Sequence, residues 1–165
     1  MDRHQQEFQM HIVVHRGSIQ DTSHQRRIGL WFVPCERGSQ YYFHVKRAIH
    51  NYQFEIKRDW DPTCTGSALP LIYIGRTDKL SASELVKLLT DVPIENHNLE
   101  FNGQQWIWEA LTFLVSKGHL TRRQLDDGFE QMLVTVLQGS ADELPETHHG
   151  HIRSSSSSNG TTDVV

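Results

Sequence analysis

FNGQQWIWEALTFLVSKG, residues 101–118, is the stretch on which the fold of this chain turns. Ile107, Ala110, Leu111 and Leu114 recur at helical spacing, while Trp106, Trp108, Phe113 and Val115 carry apolar surface around the other sides. Such a helix belongs inside a domain rather than on its surface. Asn102 is placed to cap its first turn, by accepting a hydrogen bond from an amide that has no intrahelical partner. Lys117 and Gly118 form a stop signal at the other end. The sequence therefore predicts a buried central helix over 103–117.

Outward from that helix, the N-terminal half reads as strands and the C-terminal half as helices. Met10–Arg16, Ile28–Val33, Tyr41–Lys46, Tyr52–Lys57 and Leu69–Gly75 are five strand-like runs separated by Gly, Pro and polar turns. In the third, Tyr41, Phe43 and Val45 share one face, and in the fourth Tyr52, Phe54 and Ile56 do. The short Arg47–Asn51 link predicts an antiparallel hairpin between these two runs. Ser81-Ala82-Ser83-Glu84 is a capping box that opens a helix to about Leu89. Thr121-Arg122-Arg123-Gln124 repeats the device ahead of a stripe of Leu125, Phe129, Met132, Leu133 and Val136. Strands followed by helices predict an α+β fold: a mostly antiparallel five-stranded sheet, then three helices, packed on the central one. We expect a polar lead over residues 1–8, one domain over 9–138, and a disordered serine-rich tail over 139–165.

Composition narrows the function. With 165 residues the chain is long enough for one well-packed domain. A net charge of −4 argues against a broad nucleic-acid surface, which needs cations to displace counterions. Cys35 and Cys64 sit in no metal or redox spacing and read as two reduced thiols. No cofactor or metal pattern is present, and the His148-His149-Gly150-His151 run offers no ordered set of ligands. The charged N-terminus lacks the apolar core of a secretory signal, and no apolar run approaches the ~20 residues of a membrane span. These features together predict a soluble, cytoplasmic protein.

His44 in YYFHVK, followed much later by the helix opening FNGQQWIWEAL, resembles the circularly permuted papain-like proteins. That set includes the lecithin:retinol acyltransferase-like and desumoylating isopeptidase-like groups. The resemblance is narrower still to small fungal proteins with this arrangement. It implies a strand His followed by an Asn-Cys pair at the start of a buried helix, with a Trp three residues after the Cys. His44, Asn102 and Trp106 match. The Cys position is Gly103, which has no nucleophile, so the resemblance implies a scaffold without thiol protease or acyltransferase chemistry.

Two uses of the scaffold follow. The first is a non-catalytic binding or regulatory module for a small-molecule or protein ligand. The second is a cysteine-independent isomerase, cyclase or hydrolase, with His44 as general acid/base in a pocket at the N-terminus of the central helix. Strand parity places His44 with Tyr42 and Lys46, and brings Gln53 and Glu55 beside it. Glu55 is then either a triad-like orienter of the imidazole or a cross-strand partner of Lys46. Tyr42, Gln53, Trp60, Asn102, Gly103, Gln104, Gln105 and Trp106 complete the candidate ligand-binding set. An unrelated fold, in which the His-Asn pairing is coincidental, stays open.

Overall fold

A computed structural model of the chain describes residues 3–18 and 20–143. The serine run, the His148–His151 cluster and the rest of the expected tail from residue 144 lie outside them. Five antiparallel strands, β1 (Phe8–His15), β2 (Arg27–Pro34), β3 (Tyr41–Arg47), β4 (Tyr52–Arg58) and β5 (Ile72–Arg76), precede three helices, α1 (Ala82–Thr90), α2 (Gly103–Ser116) and α3 (Arg122–Glu143). This is the α+β architecture that the order of sequence patterns predicts. The sheet order is β4-β3-β2-β1-β5. The predicted hairpin forms, with Phe43 opposite Ile56, His44 opposite Glu55, and the Ala48 amide donating to the Asn51 carbonyl.

Side chains alternate across a strand, so each strand offers one row to each face. The inner rows, Met10, Ile12 and Val14 of β1, Leu30 and Phe32 of β2, and Tyr41, Phe43 and Val45 of β3, form one core with the helices. Trp106, Ile107, Ala110, Leu111 and Leu114 of α2 are all fully buried in it. The other sides of α2 are half-buried: Trp108 packs edge-on against Phe129 of α3, with Arg122 over its ring. α3 crosses β5 closely because residue 128 is glycine. A Cβ there would stand 2.3 Å from Ile74 Cγ2.

The predicted caps are formed. Asn102 Oδ1 accepts from the Gln105 amide, and both hydrogen bonds of each capping box are present, Ser81 with Glu84 and Thr121 with Gln124. Gly118 has φ of +81°, the left-handed geometry that ends a helix at little cost to glycine.

Three boundaries differ from the sequence reading. β1 begins at Phe8, because Gln6 pairs with Leu80 and draws the lead into the sheet. The Leu69–Gly75 run is divided at Pro70, which has no amide to give a ladder. Ala68 and Leu69 instead join the end of β1, while Ile72 to Arg76 form β5. α3 runs beyond residue 138 to Glu143, where Gly139 sits close to the Thr22–Ser23 backbone.

The burial of α2 sets a stability test. Leu111→Ala and Leu114→Ala should each lower unfolding free energy by about 2–5 kcal/mol, while exposed Lys117→Ala should change it by under ~0.5 kcal/mol. Urea midpoints of the three variants check this, and equal small effects would place α2 on the surface.

Candidate functional site

The outer rows of the sheet are chemically unlike the inner ones. β1 presents Val13 and His15, β2 presents Arg27 and Trp31, β3 presents Tyr42 and His44, and β4 presents Glu55 and Lys57. Val13, Trp31 and Tyr42 form a second, smaller buried cluster on this face. The segment after β4 folds over it. Asp59 turns the chain with a φ of +53°, Asp61 caps a short 3-10 helix (Pro62–Thr65), and Trp60 packs edge-on against Tyr42 with ring centroids 4.8 Å apart. Hydrogen bonds from the Arg16 amide to the Ser67 carbonyl and from the Leu69 amide to the Val14 carbonyl tie the segment to β1.

Between this segment and the sheet lies a cavity of about 120 Å³, lined by His15, Arg27, Tyr42, His44, Lys57, Trp60, Thr65 and Ser67. Tyr42, 2% exposed, forms its floor and lies across Gly29. A Cβ at residue 29 would stand 2.2 Å from the phenol ring, so the floor exists because β2 has no side chain there. Lys57 Nζ stands 4.1 Å from the centre of the Trp60 ring, a cation–π contact that fixes both side chains.

Within the cavity, His15 Nδ1 is 3.2 Å from Ser67 Oγ, and His44 Nε2 is 2.9 Å from Glu55 Oε1. The other Glu55 oxygen accepts from Lys46 Nζ at 2.7 Å. His15 Nε2 is buried and has no hydrogen-bond partner.

The candidates read from sequence therefore divide across the sheet. His44, Glu55, Tyr42 and Trp60 come together on the outer face. Gln53 shares that face but is exposed at its margin. Asn102, Gly103, Gln104, Gln105 and Trp106 lie on the inner side with α2. Gln105 Nε2 donates to Glu109, and Trp106 is fully buried in the core, tilted against Phe54. A pocket joining His44 to the α2 N-terminus does not form, because one residue of strand parity turns His44 away from the helix-bearing face. His15, Arg27, Lys57, Thr65 and Ser67 were not singled out from sequence. The alternation of His11, Val13 and His15 in MHIVVHR was the available signal for His15.

A larger open groove of about 770 Å³ runs between α1 and the ends of β3 and β4. Two of its polar residues are already engaged: Gln6 Oε1 accepts from the Glu36 and Arg37 amides, and His4 contacts Glu36. The imidazoles of His15 and His44, both lowered in pKa by burial, line the smaller cavity.

The sequence profile of DUF6540, a family of unknown function, matches residues 10–121. The chain belongs to this family. No curated protein and no solved structure matches it. The matched span of the DUF6540 chain holds β1 from Met10 onward, β2 to β5, the cavity lining, and helices α1 and α2.

The electrostatics of the DUF6540 cavity keep its imidazoles neutral. Burial, reinforced by the charges of Arg27 and Lys57, lowers His15 from 6.5 to about 4. Burial also lowers His44 and outweighs the opposing pull of Glu55. The His44–Glu55 contact is thus a hydrogen bond from Nε2–H to a carboxylate near neutral pH. Hydrogen bonds from Lys46 and His44 hold Glu55 down at about 2. Burial raises the Tyr42 phenol, which stays protonated. Among the described residues no group of three or more His, Cys, Asp or Glu is placed to hold a metal, Cys35 and Cys64 are exposed free thiols, and no helix is long and apolar enough to cross a membrane.

These shifts predict a pH dependence. Folded His15 resists protonation until about pH 4, whereas unfolded His15 takes a proton below about 6.5. Stability should therefore fall as pH drops from 6.5 towards 4, since the unfolded state binds more protons there. Glu55 acts in a lower window, from its ordinary 4.5 down to about 2. Melting temperature should decrease between pH 7 and pH 5, and less in His15→Asn, whose amide can still hydrogen-bond to Ser67. An equal decrease in the variant would show that His15 is not the cause.

Proposed function

We propose that this DUF6540 domain is a non-catalytic binding module whose ligand sits in the outer-face cavity between Tyr42 and Trp60. The observation that carries this reading is the cavity itself, floored by the buried Tyr42, walled by Trp60 and ringed by His15, Arg27, His44 and Lys57. The walls are suited to the task, because Tyr42 and Trp60 offer flat apolar surface while the imidazoles and cations fix orientation.

A degenerate papain-like scaffold is consistent with this reading. Asn102 still caps the helix start, but Gly103 brings no nucleophile there, and a Cβ at that position would meet nothing within 4 Å. The strand rows facing α2 are Leu30, Phe32, Phe43 and Val45, which supply no base. A second reading is favoured by the 2.9 Å bond between His44 and Glu55, the geometry of an oriented general base. That enzyme would use the outer-face cavity, and His44→Gln would abolish its turnover while leaving binding intact.

Amide NMR of the full chain, titrated with the neutral probes phenol and acetamide, tests the site. The Trp60 indole and the Thr65–Ser67 amides should shift, and Gly103–Trp106 should not. Shifts confined to Gly103–Trp106, or none at the cavity, would overturn the reading.

A separate test addresses the helix start. In a Cys35→Ser/Cys64→Ser background, Gly103→Cys should give a thiol whose pKa lies below the free value of about 8.5, because the helix N-terminus favours the thiolate. Adding His44→Ala should leave the pH profile of its alkylation by iodoacetamide unchanged. A clear upward shift would mean that His44 reaches the helix after all.

A further inference from the structure

β4 is one edge of the sheet, and two bonds at the ends of its hairpin fix which of its backbone groups face outward. The Ala48 amide donates to the Asn51 carbonyl at 2.7 Å, and the Asp59 amide donates to the Gln40 carbonyl at 2.9 Å. Bonded and non-bonded pairs alternate along an antiparallel ladder, so Gln53, Glu55 and Lys57 direct their amides and carbonyls to β3. Tyr52, Phe54, Ile56 and Arg58 direct theirs away from the sheet. Asn96 shows that this edge accepts a partner. Its side chain accepts from the Tyr52 amide at 2.7 Å and donates to the Tyr52 carbonyl at 3.0 Å, as a neighbouring strand would. Beyond Tyr52 the edge is open. Among the described residues nothing bonds the outward backbone groups of Phe54, Ile56 or Arg58, and the Ile56 side chain is 36% exposed.

Charged residues usually protect such an edge from other chains, and β4 carries Glu55, Lys57 and Arg58. Their order reverses that effect in one register. When two copies of β4 pair antiparallel about a twofold axis, only outward-facing residues exchange hydrogen bonds, which restricts where the axis falls. An axis at Phe54 sets Ile56 opposite Tyr52, whose groups Asn96 already holds. An axis at the level of Glu55, Lys57 or Arg58 sets that residue against its own copy, like charge on like charge. An axis at Ile56 sets each Glu55 opposite the partner's Lys57, each Phe54 opposite the partner's Arg58, and the two exposed Ile56 side chains against each other. The Glu55–Lys57 pairs then fall at non-hydrogen-bonded positions, where Cα atoms stand ~4.5 Å apart and side chains meet most closely. Lys57 has room for such a partner, since its one ion pair among the described residues is the 3.9 Å contact with its own Glu55.

We infer that β4 is a self-association edge, on which a second copy of this chain adds its own β4 antiparallel with Ile56 at the twofold axis. Residues 54–58 of the two copies exchange about six hydrogen bonds, two for each bonded pair. The five-stranded sheet becomes continuous with its copy, and both outer-face cavities open on the same side of it. So short an interface is that of a reversible dimer rather than an obligate one. Dimerisation of this kind needs no ligand in the cavity.

Sedimentation velocity of the full chain between roughly 10 µM and 1 mM tests this, the range in which a small interface is populated. The sedimentation coefficient should rise towards that of a dimer across it. Ile56→Pro removes an amide that faces away from β3, so the hairpin keeps its ladder and its circular dichroism, and the variant should stay monomeric throughout. Glu55→Lys and Lys57→Glu, each alone, set like charges at both cross-strand pairs and should weaken association about tenfold. Mixed in equal amounts, the two variants restore opposite charges across the edge and should associate as the unaltered chain does, to within about twofold. A cross-link reads the same register with every charge in place. In a Cys35→Ser/Cys64→Ser background, Ile56→Cys should form a disulfide dimer on mild oxidation, because Cα atoms of a hydrogen-bonded pair stand ~5.5 Å apart. Lys46→Cys, exposed on β3 away from the edge, should not.

An unaltered chain that stays monomeric at the highest concentration, or that associates no better than folded Ile56→Pro, would overturn the inference. So would folded charge variants that associate no better mixed than alone, or equal cross-linking through positions 46 and 56.

Discussion

The rest of the molecule depends on the burial of one helical stripe, Trp106 to Leu114, against the inner rows of β2 and β3. Side chains of that size contribute ~1.5–3 kcal/mol each when removed from water, so α2 fixes which face of every strand becomes core. Once the inner face is committed, strand alternation leaves the other row with a different task. A shift of one residue in β3 would bring His44 into the core and expel Phe43. The polar chemistry of the outer face and the apolar core are therefore two outcomes of a single register.

The outer face is more than a solvated sheet surface. Tyr42 spreads over Gly29, Trp60 closes over Tyr42, and Lys57 rests on Trp60. Each of these contacts crosses from one element to the next, so β2, β3, β4 and the following segment hold one another in place. His15 and Ser67 add the end of β1. A cavity built on such a frame has its floor and one wall held by several elements, which would lower the ordering cost of any binding there.

Much of the architecture was legible in the sequence because it was written in local rules. Apolar runs bounded by turn residues marked the five strands, periodicity marked α2 and α3, and the caps at Ser81, Asn102 and Thr121 were readable from residue type alone. What escaped was non-local. Nothing near Ile28 says that Gly29 will accept a tyrosine ring from the neighbouring strand. Nothing in CTGSALP says that Ser67 will meet His15, because that contact depends on Ala68 and Leu69 joining the end of β1. The pairing of His44 with Glu55 was readable, since both hairpin register and parity are local. The side of the sheet on which that pair stands relative to Gly103 required knowing where the helix docks.

The position of β1 has a consequence for how the chain acquires its structure. β1 is hydrogen-bonded on one side to β2, its neighbour in sequence, and on the other to β5, which follows only after the whole β1–β4 meander and the Asp59–Leu71 segment. During synthesis the meander is complete before β5 emerges, and α3, which seats on β5 through Gly128, comes later still. For that interval β1 is an open edge with an apolar row, Met10, Ile12 and Val14, and no helix over it. Such an edge is a template for pairing with another chain. Final closure is a long-range step, and its rate sets how long the nascent protein is exposed to self-association.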